Sequence, residues 1–167
     1  MRKLIMICCI SFIAILNGCS STPEKEIELD GSVKTVGKNI IVYGTSSLEK
    51  DALITVQLKE IDSRKVMEET QVKVDDDGNF EAKLTRENTE MDHELNVLYE
   101  PNKQPDQLKE IYGENGEFIA DTSGGYSTLK KGNEEYNVIK MLDRILEIGN
   151  GTAGQRTMLT TELPEAY

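Results

Sequence analysis

The chain has 167 residues, with 19 Lys and Arg against 30 Asp and Glu, a formal net charge of −11, one His, three Cys and no Trp. So acidic a surface repels phosphate backbones and argues against a nucleic-acid partner, because that affinity comes mainly from Lys and Arg. With His93 as the only imidazole and every Cys within the first nineteen residues, no zinc site of two or more His or Cys ligands is expected in the mature chain.

Arg2 and Lys3 open the chain, an apolar run extends from Leu4 to Leu16, and Asn17-Gly18 ends it. A spanning helix needs about 20 apolar residues, so the run fits the apolar core of a signal peptide instead. The string Leu16-Asn17-Gly18-Cys19 resembles the lipobox of bacterial lipoproteins. That resemblance implies cleavage between Gly18 and Cys19, fatty acyl chains of the palmitate type on Cys19, and a place on the extracytoplasmic side of the cell membrane. At about 0.8 kcal/mol per buried CH₂, two or more chains anchor stably where one would not. Cys8 and Cys9 would leave with the leader and Cys19 would be blocked by lipid, so no thiol would remain for a disulfide or a nucleophile. Losing Arg2 and Lys3 takes the net charge from −11 to −13. The expected organisation is a signal peptide over 1–18, a lipidated tether over 19–26 and a single β-rich domain over 27–167.

The first part of that domain alternates with the period of strands. Ile27-Glu28-Leu29 comes first, then Asn39 to Tyr43 closed by Gly44, then Leu53 to Ile61 with Ile54, Val56 and Leu58 on one side. Val66 to Val74 continues with Val72 and Val74 inward, and Asp77-Gly78 marks a hairpin turn into Phe80, Ala82 and Leu84. Glu94 to Tyr99 adds Leu95, Val97 and Tyr99 before Pro101. Period two means one buried and one wet face, and six short strands with no helix between them predict an antiparallel sandwich. The strings Val-Tyr-Gly-Thr, Val-Asp-Asp-Asp-Gly-Asn-Phe and Leu-Asn-Val-Leu-Tyr-Glu-Pro, spread over Ile27 to Tyr112, are similar to immunoglobulin-like modules of bacterial surface proteins. The resemblance implies a fold class and carries over no functional residue.

Beyond Tyr99 the pattern changes. Leu108, Ile111 and Tyr112 predict one or two helical turns after Pro105, ended by Gly113, and Asn115-Gly116 predicts a tight turn into Glu117 to Ile119. Asp121 to Gly132 reads as a polar loop. Val138, Met141, Leu142, Ile145 and Ile148 recur at helical spacing, which predicts an amphipathic helix over Glu134 to Ile148, capped by Asn133 and ended by Gly149. A final strand is expected over Arg156 to Glu162. The expected fold class is therefore mainly β: an antiparallel immunoglobulin-like sandwich with one C-terminal amphipathic helix.

Few strings carry chemistry. Gly149 to Gly154 matches the dinucleotide pattern GxGxxG in letters, but it follows the expected helix instead of a strand. Asp75, Asp76 and Asp77 resemble part of a calcium loop; EF-hand spacing would put Lys73 first and Leu84 at the bidentate position, which leaves only a loose surface site. His93 lies in Glu90-Met91-Asp92-His93-Glu94 and reads as a solvated side chain near a strand end. Tyr99, Tyr112, Tyr126 and Tyr136 read as half-buried residues with hydroxyls in water. No catalytic residue, cofactor site or metal site is expected.

The leading functional expectation is a non-enzymatic binding or accessory module of the bacterial envelope. It would be held at the membrane through Cys19 and meet an envelope protein or polymer through a sheet face or the loop from Asp121 to Gly132. The alternatives are a carboxylate-based glycan hydrolase or calcium-dependent sugar binder, with paired acids beneath a tyrosine-lined cleft, and a subunit whose partner covers the helix stripe.

Overall fold

The computed structural model describes residues 23–149 and 154–165. Cys19, Gly18 and the rest of the expected leader and lipid site lie outside the described residues. The described residues contain nine strands: β1 Leu29–Val36, β2 Asn39–Ser46, β3 Leu53–Glu60, β4 Val66–Lys73, β5 Asn79–Thr85, β6 His93–Tyr99, β7 Tyr126–Lys131, β8 Glu134–Ile145 and β9 Gly154–Met158. One α-helix, α1 Asp106–Tyr112, follows β6. Among the described residues no helix is long and apolar enough to cross a membrane.

The strands form two antiparallel sheets, a four-stranded one in the order β5-β2-β1-β9 and a five-stranded one in the order β4-β3-β6-β8-β7. Alternation explains how they meet. Val33, Ile40, Val42, Ala82 and Leu84 from the first sheet, and Ile54, Val56, Leu95, Val97, Ile139 and Ile145 from the second, belong to one buried apolar cluster. Leu108 and Tyr112 of α1 join it, and the Tyr99 and Tyr112 rings meet edge to face at 5.4 Å between centroids. Removing this apolar surface from water is the main stabilising term, at about 25 cal/mol per Å² buried.

Two turns show how local chemistry sets the crossings. The Asp75 carboxylate accepts the backbone N–H groups of Asp77 (2.9 Å) and Asn79 (2.8 Å), and Gly78 has φ +79°. A Cβ on Gly78 would lie 2.4 Å from the Ser46 carbonyl oxygen. The Asp77-Gly78 turn is real, but it does not close a hairpin: β4 pairs with β3 and β5 with β2, so the chain changes sheets there. A two-residue turn, Gly132-Asn133 with Gly132 at φ +67°, joins β7 to β8 as an antiparallel hairpin, the role glycine fills where φ is positive.

That hairpin corrects the largest sequence expectation. The segment read as an amphipathic helix over 134–148 is strand β8, which pairs with β6 on one side and β7 on the other. Ile139, Met141 and Ile145 face the core cluster, while Val138 and Leu142 are buried on the opposite side. A strand apolar on both faces places hydrophobic residues at i, i+3 and i+4 just as a helix does, and β-branched Val138, Ile139 and Ile145 favour the strand. Asn133 is a turn residue rather than a cap, and no helix stripe exists for a partner to cover.

Smaller corrections follow the same logic. The expected loop over 121–132 contains β7, and β1 begins at Leu29 and runs on to Val36. Ile27 and Leu29 are both buried, as their alternation required. The expected turn at Asn115-Gly116 is present, with Gly116 at φ +79°, and Ile119 beyond it makes a single bridge to Lys25. The short helix is where expected. The last strand stops at Met158, after which Leu159 is buried and Thr160 exchanges backbone hydrogen bonds with Leu142 (2.7 and 2.8 Å), carrying the chain to the other sheet. Gln155 reinforces that crossing: its amide donates to the Arg144 carbonyl (2.8 Å) and accepts from the Leu146 N–H (3.1 Å).

Candidate functional site

The outward side of the four-stranded sheet carries a groove of about 710 Å³. Register builds it row by row. Ser32 of β1 lies between Met158 of β9 and Tyr43 of β2, and Tyr43 lies opposite Glu81 of β5. One step along, Asp30 faces Thr45 and Thr45 faces Asn79. All of them point away from the core because their neighbours Val33, Val42 and Ala82 point into it. Tyr43 is 45% exposed and Met158 58%. Exposed large apolar side chains grouped in a concave surface are the usual mark of a contact site.

Beneath the groove, on the core side of the sheet, close packing depends on glycine. Gly44 lies opposite both Gly31 and Phe80, and a Cβ on Gly44 would fall 2.0 Å from the Phe80 ring. The ring therefore lies directly against the β2 backbone, which any side chain at position 44 would push away.

The carboxylates around the groove have local partners. Asp75 is bonded to its own turn and held below the usual carboxylate range, first by the Asn79 N–H. Asp30 accepts the Gly31 N–H (2.6 Å), Glu81 pairs with Lys83 (2.9 Å), and Asp76 pairs with Lys50 (2.7 Å). The three aspartates read from sequence as a loose calcium site thus form a capped turn, and among the described residues no group of three metal-ligating side chains comes together.

The residues named from sequence are scattered. His93, expected in solvent, is 2% exposed at the start of β6 and faces inward beside Leu95. Burial, then the nearby Arg86 guanidinium, pushes its imidazole below its ordinary value. Tyr99 and Tyr112 are buried in the core instead of half wet: burial pushes both phenols up, and the Tyr112 hydroxyl accepts the Glu49 N–H (3.1 Å). Tyr126 packs on the same core, so no tyrosine-lined cleft forms from these residues. Of the GxGxxG string, only Gly149 and Gly154 are described, and it follows strand β8.

Two features escaped the sequence reading. Asp143 of β8 is 1% exposed and faces the space between the sheets, where it accepts a bond from the Thr157 hydroxyl and one from the Arg144 N–H (2.8 Å). Burial raises its carboxyl above the ordinary range. Arg86, 2% exposed, donates to the carbonyls of Gly37 and Leu146, tying the β1–β2 turn to the end of β8. The groove residue Tyr43 was visible only as one letter of a strand, because period two gives its face but not whether that face is covered.

Comparison with protein-family models, with curated proteins and with solved structures returned no match.

Proposed function

We propose that this chain is a lipid-anchored protein on the extracytoplasmic side of a bacterial cell membrane. Its β-rich domain is an immunoglobulin-like, non-enzymatic module that binds an envelope protein or polymer through the outer face of the four-stranded sheet. The anchor rests on Leu16-Asn17-Gly18-Cys19 behind its short apolar run. The immunoglobulin-like reading is supported by the order of crossings: β1 and β2 share a sheet with β5, while β3, β4 and β6 share the other, as in Greek-key sandwiches.

The observation that carries the binding reading is the groove lined by the exposed side chains of Tyr43 and Met158. Recognition is favoured over acid–base chemistry because the groove carboxylates are committed to turns and to Lys83. Two measurements test the proposal. Intact mass of the protein purified from native membranes is expected to give a chain starting at Cys19 with added acyl mass; an unprocessed Met1 start refutes the anchor. Tyr43→Ala in the full chain is expected to cut co-sedimentation with purified envelope several-fold, and undiminished co-sedimentation removes this face from the account.

A further inference from the structure

We infer that the ligand of this face is an acidic polysaccharide whose anionic groups lie along a row of cations crossing the four-stranded sheet. The inference rests on the reading of that face as the binding surface and gives it a ligand class. Antiparallel register sets Arg156 of β9 opposite Lys34 of β1, Lys34 opposite Ile41 of β2, and Ile41 opposite Lys83 of β5. Alternation puts all four on the outer side. With strands about 4.8 Å apart, the row spans about 14 Å.

Such a row is unfavourable as pure architecture. Like charges directly opposite one another destabilise a sheet, and a chain of net charge −11 has acidic partners to spare. Lys83 has one, Glu81 at 2.9 Å, but neither Lys34 nor Arg156 makes an ion pair among the described residues. An anion seated between them removes their repulsion, and the planar Arg156 fork matches a carboxylate with two parallel hydrogen bonds.

The adjoining rows select among anions. Tyr43 offers a ring for the C–H face of a sugar, Ser32 and Thr45 offer hydroxyls, and Glu81 and Asp30, whose Oε1 and Oδ1 hold Lys83 and the Gly31 N–H, each keep a second carboxylate oxygen that accepts sugar hydroxyls. Those two acids repel a chain that bears phosphate at every unit and few hydroxyls. A polysaccharide whose sugars carry both carboxylates and hydroxyls satisfies both rows at once.

The test titrates the full-length protein in detergent with three uronate polymers: polygalacturonate, alginate and hyaluronate. Dextran serves as the neutral polymer, and polyphosphate and an oligothymidylate as the polyanions without sugar carboxylates. At least one uronate polymer is expected to bind at least ~10-fold more tightly than dextran, polyphosphate or the oligonucleotide, with affinity falling as salt rises. Lys34→Glu with Arg156→Glu is expected to weaken that binding ~10-fold or more, and Tyr43→Ala several-fold; Lys34→Gln with Arg156→Gln replaces the charge reversal if it does not fold. Unchanged affinity in the charge variants with a loss in Tyr43→Ala overturns the cation row and leaves the binding face standing. Unchanged affinity in both overturns the two together. Equal binding of polyphosphate or the oligonucleotide, or no binding of any uronate polymer, overturns the acidic polysaccharide, while the face itself is judged separately with native envelope.

Discussion

The outer faces of the two sheets are built from similar letters and end in opposite conditions. On the five-stranded sheet, Glu94 and Asn96 of β6 are 4% and 0% exposed, and Leu98 beside them is buried as well. The Asn96 amide donates to Glu94 (2.8 Å), and Lys140 lies 3.7 Å from the same carboxylate. On the four-stranded sheet, Tyr43, Met158 and Val36 are exposed, and Lys34 and Arg156 lack counter-ions among the described residues. Sheet width accounts for much of this. β6 has two strands on either side, so neighbouring side chains close over it, whereas β2 and β1 lie one strand from an edge. The wide face pairs its buried polar groups with one another, and the narrow face leaves Lys34 and Arg156 without counter-ions among the described residues.

Glu94→Ala is the hardest blow to that contrast. It strips Asn96 of an acceptor, takes from Lys140 its carboxylate partner, and removes a favourable charge from Lys59, whose ammonium burial already pushes below its ordinary value. A loss of about 2 kcal/mol in urea unfolding is expected, whereas Glu81→Ala on the open face should leave the unfolding curve unchanged. Equal effects would erase the distinction between the faces.

The interior adds two pH signatures of opposite sign. His93 has a folded value below its unfolded one near 6.5. The unfolded chain therefore takes up the proton first, and stability falls as pH drops below about 6.5 toward the folded value. Asp143 has a raised folded value; there the folded state binds the proton more tightly, and stability falls as pH rises from the ordinary carboxylate range through the raised one. His93→Asn is expected to flatten the decline as pH falls below the ordinary imidazole range, and Asp143→Asn the decline as pH rises above the ordinary carboxylate range, both read by denaturant midpoints. A variant that keeps its wild-type pH slope would show that the group does not titrate on unfolding.

The smallest expected effect concerns the cation row. Lys34→Glu puts an acid opposite Arg156 and should raise stability by about 0.5 kcal/mol while weakening ligand binding. No gain in stability would mean that the two cations do not oppose each other in solution.

What could be read from the letters divides along physical lines. Strands with one wet face, such as β5 with Phe80, Ala82 and Leu84 inward, were legible because alternation reports burial directly. Strand β8 was not, since a segment buried on both faces loses its period and imitates a helix. The turn Gly132-Asn133 held the missing signal, as two residues of that type ask for a hairpin. His93 misled because its charged neighbours suggested solvent, while its own side of β6 points inward. The groove was illegible for a further reason: Met158 comes from the opposite end of the domain to Ser32 and Tyr43, and only the register brings it beside them.

The proposed function requires that the outer face of the four-stranded sheet, and not that of the other sheet, bind an envelope component. Hydroxyl-radical footprinting of the full-length protein reads this directly, because Tyr43 and Met158 are exposed on one sheet and Met67, 50% exposed, on a strand of the other. Adding native envelope is expected to lower oxidation of Tyr43 and Met158 several-fold and leave Met67 unchanged. Protection of Met67 with Tyr43 and Met158 still fully oxidised would contradict it.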